Sequence, residues 1–272
     1  MQPLVDADVL VYECGFAAET AWKGENKGID ILENPPPFDR VAELLDNRIN
    51  NTCAIVDATH PPILFLTGKG NFRYAIAKRT PYKDRAGNKP YHYKNLLAYI
   101  KGKYDYRLTE GLEADDLMAI EQTQRPEETI ICTRDKDLRS VPGWHYGWEL
   151  GNQPQFGPEV VSEIGRVELA ACRKKLKGTG LLFFYGQCLT GDAVDSIPGL
   201  AKCGPVNAYE ILKAATTEEE AFRSVFAAYT SLYGERAEEE LLEQGRLLWM
   251  TRELHEDGSP VLWELPEYEI LP

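Results

Sequence analysis

In GLEADDLMAI, residues 111–120, three acids (Glu113, Asp115 and Asp116) fall within four positions and lead directly into an apolar segment. On a helix that turns about 100° per residue, Glu113 and Asp116 share a side and Asp115 lies about 100° from Asp116. Carboxylates this close repel one another. In a site that excludes water they also carry a desolvation cost that a cation or a proton relieves. The same trio equally suits the first turn of a helix, where the macrodipole favours acids and a carboxylate can cap backbone N–H groups. Three further acidic pairs repeat the theme: Asp6 and Asp8 in LVDADVLVY, Asp135 and Asp137 in CTRDKDL, and Asp192 and Asp195 in TGDAVDSIPGL. Dispersed carboxylates without His or Cys partners suit hard divalent cations such as magnesium or manganese. Two such ions about 4 Å apart can activate a water and stabilise the leaving oxygen of a phosphodiester.

The elements that must carry these acids alternate. Short apolar runs (PLVDADVLVY, PPILFLTG and ETIICTRDKDL) are separated by helix-like segments at 38–51, 94–102 and 114–123. That alternation predicts an α/β fold with a mostly parallel central sheet flanked by helices. In such sheets ligands gather at the carboxyl ends of the strands, which is where the acids fall. WHYGWELGNQPQF, residues 144–156, reads as a hairpin around Gly151 and Asn152, and from about residue 180 the pattern becomes helical. Segment 68–92 is basic and rich in Gly and Tyr, which predicts a loop or short helices projecting from the core.

Composition sets limits. The 272 residues carry a formal net charge of −13, which on average disfavours a polyanionic partner. The charge is polarised, however: residues 68–107 hold 11 bases against 2 acids, whereas the rest of the chain holds 19 bases and 41 acids. Such a chain can hold a polyanion on one face and metal ions in an acidic pocket. Six cysteines without paired spacing predict reduced thiols and no zinc, and the opening MQPLVDADVLVYECG predicts neither a signal peptide nor a membrane span. A cytoplasmic protein without a membrane partner is expected. The acidic run ERAEEELLEQ is read as an exposed helical face that repels DNA from the wrong side, and Arg173, Lys174, Lys175 and Lys177 as a solvated helix face. His60, His92, His145 and His255 are scattered and receive no catalytic role.

The segment TGDAVDSIPGLAKCGP resembles the helix-three-turn-helix signature of the flap endonuclease and 5′-3′ exonuclease family, whose nuclease domain is PIN-like. LVDADVLVY, LEADD and CTRDKDL resemble its acidic motifs in order, and NFRYAIAKRTPYKDR resembles its basic helical arch. The chain is similar throughout, from Leu4 to about Arg252, to the small exonucleases of bacteriophages. The resemblance implies a nuclease domain at 1–178 with a basic arch at 68–93, and a helical DNA-binding region at 179–272 with the helix-three-turn-helix at about 188–213. It implies that Asp6, Glu113, Asp115, Asp116, Asp135, Asp137, Asp192 and Asp195 ligate or support two Mg²⁺ ions, with Mn²⁺ as a substitute. Asp8 is assigned either to that site or to waters around it. The resemblance further implies that Arg73, Lys83 and Arg85 contact the scissile phosphate, and that Lys78, Arg79, Tyr82, Gly199, Lys202 and Gly204 bind DNA, with K⁺ held by the loop carbonyls. The implied partners are DNA with 5′ ends or flaps and RNA-DNA hybrids, met by a monomer that releases 5′-phosphate products.

Three positions depart from the family pattern. Gly68 stands where many relatives place an Asp, Lys202 where a Gly is usual, and Val206 where a Lys is common. Two other functions remain open at the level of sequence. One is a non-catalytic protein that binds branched DNA. The other is a haloacid-dehalogenase-like phosphatase with Asp6 as nucleophile and Asp8 as general acid, which leaves the basic segment and GDAVDSIPG without a role.

Overall fold

The structure is a computed structural model that describes residues 1–83 and 87–268. Arg85 therefore lies outside the described residues. The chain begins with β1 (Gln2–Asp6), α1 (Ala7–Glu25), α2 (Phe38–Ile55), β2 (Ile63–Lys69) and a single helical turn, α3 (Arg73–Ile76). It continues through α4 (Tyr93–Lys103), β3 (Asp105–Glu110), α5 (Ala114–Gln124), β4 (Thr129–Cys132), a 3-10 turn at Asp137–Ser140, β5 (Gly143–Gly147) and β6 (Phe156–Val161). Next come β7 (Arg166–Ala170), β8 (Lys175–Thr179), α6 (Gly180–Thr190), α7 (Pro205–Leu212), α8 (Glu218–Tyr233) and α9 (Ala237–Leu248). These elements form two compact units: residues 1–70, 86–135 and 144–160 make the first, and residues 71–85, 136–143 and 161–272 the second.

The sheet has six strands in the order β3-β2-β1-β4-β5-β6, and the β1–β2, β1–β4, β2–β3 and β4–β5 pairs are parallel. The architecture is the α/β fold with a mostly parallel, helix-flanked sheet that the sequence predicts. Central strands covered on both faces read as unbroken apolar runs, as in Thr129–Cys132, where every residue is buried. The first run behaves differently from the sequence expectation. PLVDADVLVY is not one strand: β1 ends at Asp6 and α1 starts at the next residue. Ala7, Leu10, Val11, Cys14 and Ala18 are buried at helical spacing, and Val at 9 and 11 fits either element locally. The abrupt switch is made by Asp6 itself, whose carboxylate caps α1 by accepting the Val9 N–H at 3.0 Å.

Unit 1 is tied on its helical side by a half-buried polar knot. The Asp46 carboxylate on α2 accepts hydrogen bonds from the hydroxyls of Tyr99 (2.8 Å) and Tyr104 (2.6 Å) and from the Lys103 ammonium (2.6 Å). Burial alone would raise the Asp46 carboxyl, but the bonds from Lys103, Tyr104 and Tyr99 outweigh it and hold the group below the usual carboxylate range. An acid with a depressed folded-state pKa stabilises the fold above its unfolded value, near 3.9, and that contribution fades as pH falls through the folded value. Asp46→Ala is therefore expected to lower the unfolding free energy by about 1–2 kcal/mol at pH 7. In urea titrations the gap from wild type should shrink below about pH 4; a gap independent of pH would remove charge from the explanation.

In unit 2, α6 is buried over nearly its whole length and packs against α7, α8, α9 and the β7–β8 ribbon. Tyr229 on α8 donates its hydroxyl to the Cys188 carbonyl of α6 at 2.6 Å, which satisfies a buried polar tip inside an aromatic core. The helical C-terminal region follows the sequence expectation, but residues 166–179 do not. Arg173, Lys174, Lys175 and Lys177 belong to an antiparallel hairpin rather than a helix face, with Glu168 opposite Lys177 and Ala170 opposite Lys175. The turn runs through Ala171, Cys172 and Arg173, all with φ between +50° and +68°. The signal was the period-two alternation of Val167 and Leu169 with Leu176, and the side chains of Val167 and Leu176 pack on the unit 2 core.

The predicted turn at Gly151 and Asn152 forms, with Leu150 and Gln153 exchanging backbone hydrogen bonds. Among the described residues all six cysteines are free thiols, and no helix is long and apolar enough to cross a membrane.

Candidate functional site

At the carboxyl ends of β1 and β4 the Thr133 hydroxyl joins two of the predicted acids. It donates to Asp6 Oδ2 at 2.6 Å and accepts the Asp135 backbone N–H at 2.8 Å, so Asp135 is turned beside the end of β1. Asp6 is only 2% exposed. Burial pushes its carboxyl up to about 6, opposed by the Thr133 hydroxyl and the Val9 N–H and reinforced by the charge of Asp8. Asp8, in the first turn of α1, accepts the backbone N–H of Thr67 at the end of β2 (2.9 Å). The Thr67 hydroxyl in turn accepts the N–H of Ala114, the first residue of α5. Thr67 and Thr133 thus position the acidic edge, and the sequence reading missed both. The only local cue was a Thr at the end of each apolar run.

Glu113, Asp115 and Asp116 form the start of α5. Glu113 and Asp116 make a reciprocal capping box, with the Glu113 N–H donating to Asp116 Oδ2 at 3.1 Å. Asp116 is fully buried, whereas Glu113 and Asp115 are half-buried. For two of the three acids the helix-start explanation therefore describes what their carboxylates do, and Asp115 stands outside the box.

Gly68 has a steric explanation. Strands β2 and β3 shift register between Leu66 and Lys69, and the Gly68 N–H donates to the Thr109 hydroxyl at 3.1 Å. A Cβ at Gly68 would lie 1.9 Å from the Thr109 carbonyl oxygen, so this backbone admits no side chain there.

In unit 2, Asp137, Asp192 and Asp195 each offer an oxygen within 4.8 Å of the others, the one such three-acid group among the described residues. The Lys136 ammonium lies 2.7 Å from Asp137 Oδ1 and 2.5 Å from Asp192 Oδ2. Gln187 Nε2 also donates to Asp137. Burial works to raise the Asp192 carboxyl, but Lys136 and the N–H groups of Val194 and Asp195 hold it below the usual carboxylate range. The acids in turn raise Lys136 despite its desolvation. The arrangement is a small oxygen cage, two of whose acids already grip a cation.

The loop between α6 and α7 is closed by reciprocal backbone bonds of Asp192 and Ile197, both 2.8 Å. Gly199 sits at φ +65°, and its N–H donates to Gln244 Oε1 at 2.8 Å. A Cβ there would meet the Gly191 nitrogen at 2.3 Å. Lys202 takes φ +64°, the left-handed conformation that a glycine would adopt more readily, and Gly204 precedes α7 with open space around it.

The predicted bases separate by environment. Arg73 is fully buried, its guanidinium donating to the carbonyls of Leu247 (2.9 Å) and Trp249 (2.8 Å) at the end of α9. The expectation of phosphate contact gives way there to the capping of buried carbonyls, because desolvated guanidinium N–H groups need acceptors. Tyr82, expected on DNA, is 5% exposed and donates to Asp195 at 3.1 Å. Lys83 lies 3.8 Å from Asp195 and over the Tyr82 ring. Arg79 pairs with Glu240 at 2.8 Å, Lys78 approaches Glu239 at 3.8 Å, and Glu243 accepts both of their backbone N–H groups. The acidic face of α9 is therefore not merely exposed: it holds the basic segment.

No family model matches the chain. Over 168 residues it is 28% identical to flap endonuclease Xni of Shewanella baltica, a span of 58% of this chain and 57% of that protein. Flap endonuclease Xni of Shewanella putrefaciens is 24% identical over 235 residues, 81% and 83% of the two chains. The match to the first of these relatives thus spans less than two thirds of its length. The solved structure of T5 5′-exonuclease with bound zinc shares the fold, with a TM-score of 0.52 at 14% identity over 91% of this chain and 99% of that one. Asp6, the DKD pair and the GDAVDSIPG turn thus stand on the fold of T5 5′-exonuclease, in a chain similar in sequence to flap endonucleases.

Proposed function

We propose that the protein is a divalent-metal-dependent 5′-3′ exonuclease and structure-specific flap endonuclease that hydrolyses DNA phosphodiesters to 5′-phosphate products. The observation that carries this reading is the Asp137, Asp192 and Asp195 cage, whose oxygens lie within 4.8 Å of one another, two of the three acids holding the Lys136 ammonium. The donor set is all oxygen, as Mg²⁺ requires, and Lys136 stands in for a cation there. Asp6 supports the same reading in unit 1: a buried carboxylate whose bonds among the described residues come from the Thr133 hydroxyl and the Val9 N–H. Asp6, Asp135 and Asp115 in unit 1, and Asp137, Asp192 and Asp195 in unit 2, are the residues we assign to metal. Glu113 and Asp116 support them by fixing α5.

When bound, Mg²⁺ would polarise the phosphoryl oxygen and the attacking water. The chain contributes charge and position. Lys83, beside Asp195, is placed to neutralise charge developing on phosphoryl oxygens, and Arg73 holds the segment that carries it. Lys78 and Arg79 bind phosphate by exchanging their α9 carboxylates for it. The loop at Gly199, Lys202 and Gly204 presents backbone groups and the start of α7 to the duplex, which fixes register without reading sequence. We extend the reading to Mn²⁺ as a substitute, K⁺ at the loop carbonyls, RNA-DNA hybrids as additional substrates, and a cytoplasmic monomer divided functionally near residue 178.

The test uses a 5′-labelled duplex and a 5′-flap substrate with Mg²⁺, Mn²⁺ or chelator. Cleavage in either metal and none with chelator is the expected result. Binding of the flap without cleavage in any metal would instead make the protein a branched-DNA-binding module.

A further inference from the structure

The basic segment is held by α9 through two kinds of contact. One kind is spent on backbone: Glu243 Oε1 accepts the N–H groups of Lys78 and Arg79, both at 2.9 Å, and Arg73 donates in return to the Leu247 and Trp249 carbonyls. The other kind takes the charges themselves. Glu240 lies 2.8 Å from the Arg79 guanidinium, which also donates to the Tyr233 hydroxyl at 3.3 Å, and Glu239 lies 3.8 Å from the Lys78 ammonium. Glu239, Glu240 and Glu243 share one face of α9, because Glu243 follows the other two by four and three residues. The two ion pairs differ in exposure. The Arg79 and Glu240 side chains are 29% and 10% exposed, against 72% and 68% for Lys78 and Glu239, so solvent and salt screen the first pair less. A phosphate that takes Arg79 must displace Glu240, which is then left buried with one arginine, Arg236, in place of two. The vacated carboxylate recruits a cation from solution, and that uptake offsets the cation that DNA sheds when a base neutralises its phosphate.

We infer that the acidic face of α9 is a built-in competitor of DNA: Glu240, and more weakly Glu239, hold Arg79 and Lys78 until a phosphate replaces them, while Glu243 keeps the backbone of the segment in place. The inference rests on the reading of Lys78 and Arg79 as phosphate contacts and adds a restraint to it. Affinity for DNA is set below what the bases alone would give, and its salt dependence is made shallower.

The test is the fluorescence anisotropy of a labelled 5′-flap titrated with the full chain in chelator, repeated at salt concentrations from about 50 to 200 mM. Glu240→Gln keeps an oxygen for Arg236 and removes the charge. It is expected to tighten flap binding by roughly threefold at the lowest salt and to steepen the slope of log affinity against log salt by about one. Glu239→Gln, at the exposed pair, should do the same more weakly, and it decides the matter if Glu240→Gln does not fold. Glu238→Gln makes the same change in net charge on the opposite side of α9 and should leave both readings near wild type. Unchanged or weaker binding in the Glu240 and Glu239 variants overturns the inference and makes the ion pairs a brace that persists on DNA. An equal gain in Glu238→Gln also overturns it, since the effect would then be one of net charge. Lys78→Gln combined with Arg79→Gln checks the reading beneath: it should loosen the flap, and wild-type affinity in that variant removes both bases from the phosphate contacts and the inference with them.

Discussion

Asp192→Asn is expected to slow metal-dependent cleavage of a 5′-flap by about 10²–10³-fold, while the affinity for the same flap in chelator changes by less than about twofold. Asp192 is 6% exposed, pairs with Lys136 at 2.5 Å and is held ionised by that ammonium and by backbone N–H groups. Its other oxygen, Oδ1, accepts the Val194 N–H at 2.8 Å and so shapes the loop before α7. Asparagine retains an oxygen for that bond, which isolates charge from loop geometry. Loss of a ligand harms the transition state more than the encounter, because phosphodiester affinity comes largely from dispersed basic groups. Equal losses in cleavage and binding would mean that Asp192 acts through the loop instead.

Gly68→Asp should destabilise unit 1 by about 3 kcal/mol or more, at the severe end of single substitutions. Any Cβ at this position lies 1.9 Å from a backbone oxygen of β3, which cannot swing away as a flexible side chain could. The substitution that would restore the usual family residue is thus expected to fail by unfolding rather than by chemistry. Gly204→Ala is the control, since nothing lies within 4 Å of a Cβ there and φ is an ordinary −85°. Denaturant midpoints for the two variants decide the matter, and a Gly68→Asp protein as stable as Gly204→Ala would show that β3 yields easily.

Much of the site was legible because residue type and spacing are local properties. The apolar run ending in Asp6, the DKD pair after TIICT and the GDAVDSIPG turn each carry their own signal, and α2, α4 and α5 appeared at their helical periods. The trio at 113–116 admitted two explanations from sequence. The fold gives Glu113 and Asp116 the capping role and sets Asp115 apart from the box.

Other features depend on what stands opposite each residue. Arg73 looks like any arch base in NFRYAIAKR, and only packing against the end of α9, more than 170 positions away, buries it on two carbonyls. Lys78 and Arg79 read as free positive charge until α9 brings Glu239, Glu240 and Glu243 against them. Gly68 reads as a missing acid until the register shift of β2 on β3 shows that no side chain fits. The sequence by itself determined which oxygens and which bases the chain possesses, and the strands and helices that bear them, because side-chain chemistry and backbone periodicity are set within a few residues. Which of those charges meet a partner, which are buried and which backbone can tolerate a Cβ were decided only by the tertiary structure, since Coulomb forces, desolvation and steric exclusion act between neighbours in space, whatever their separation along the chain.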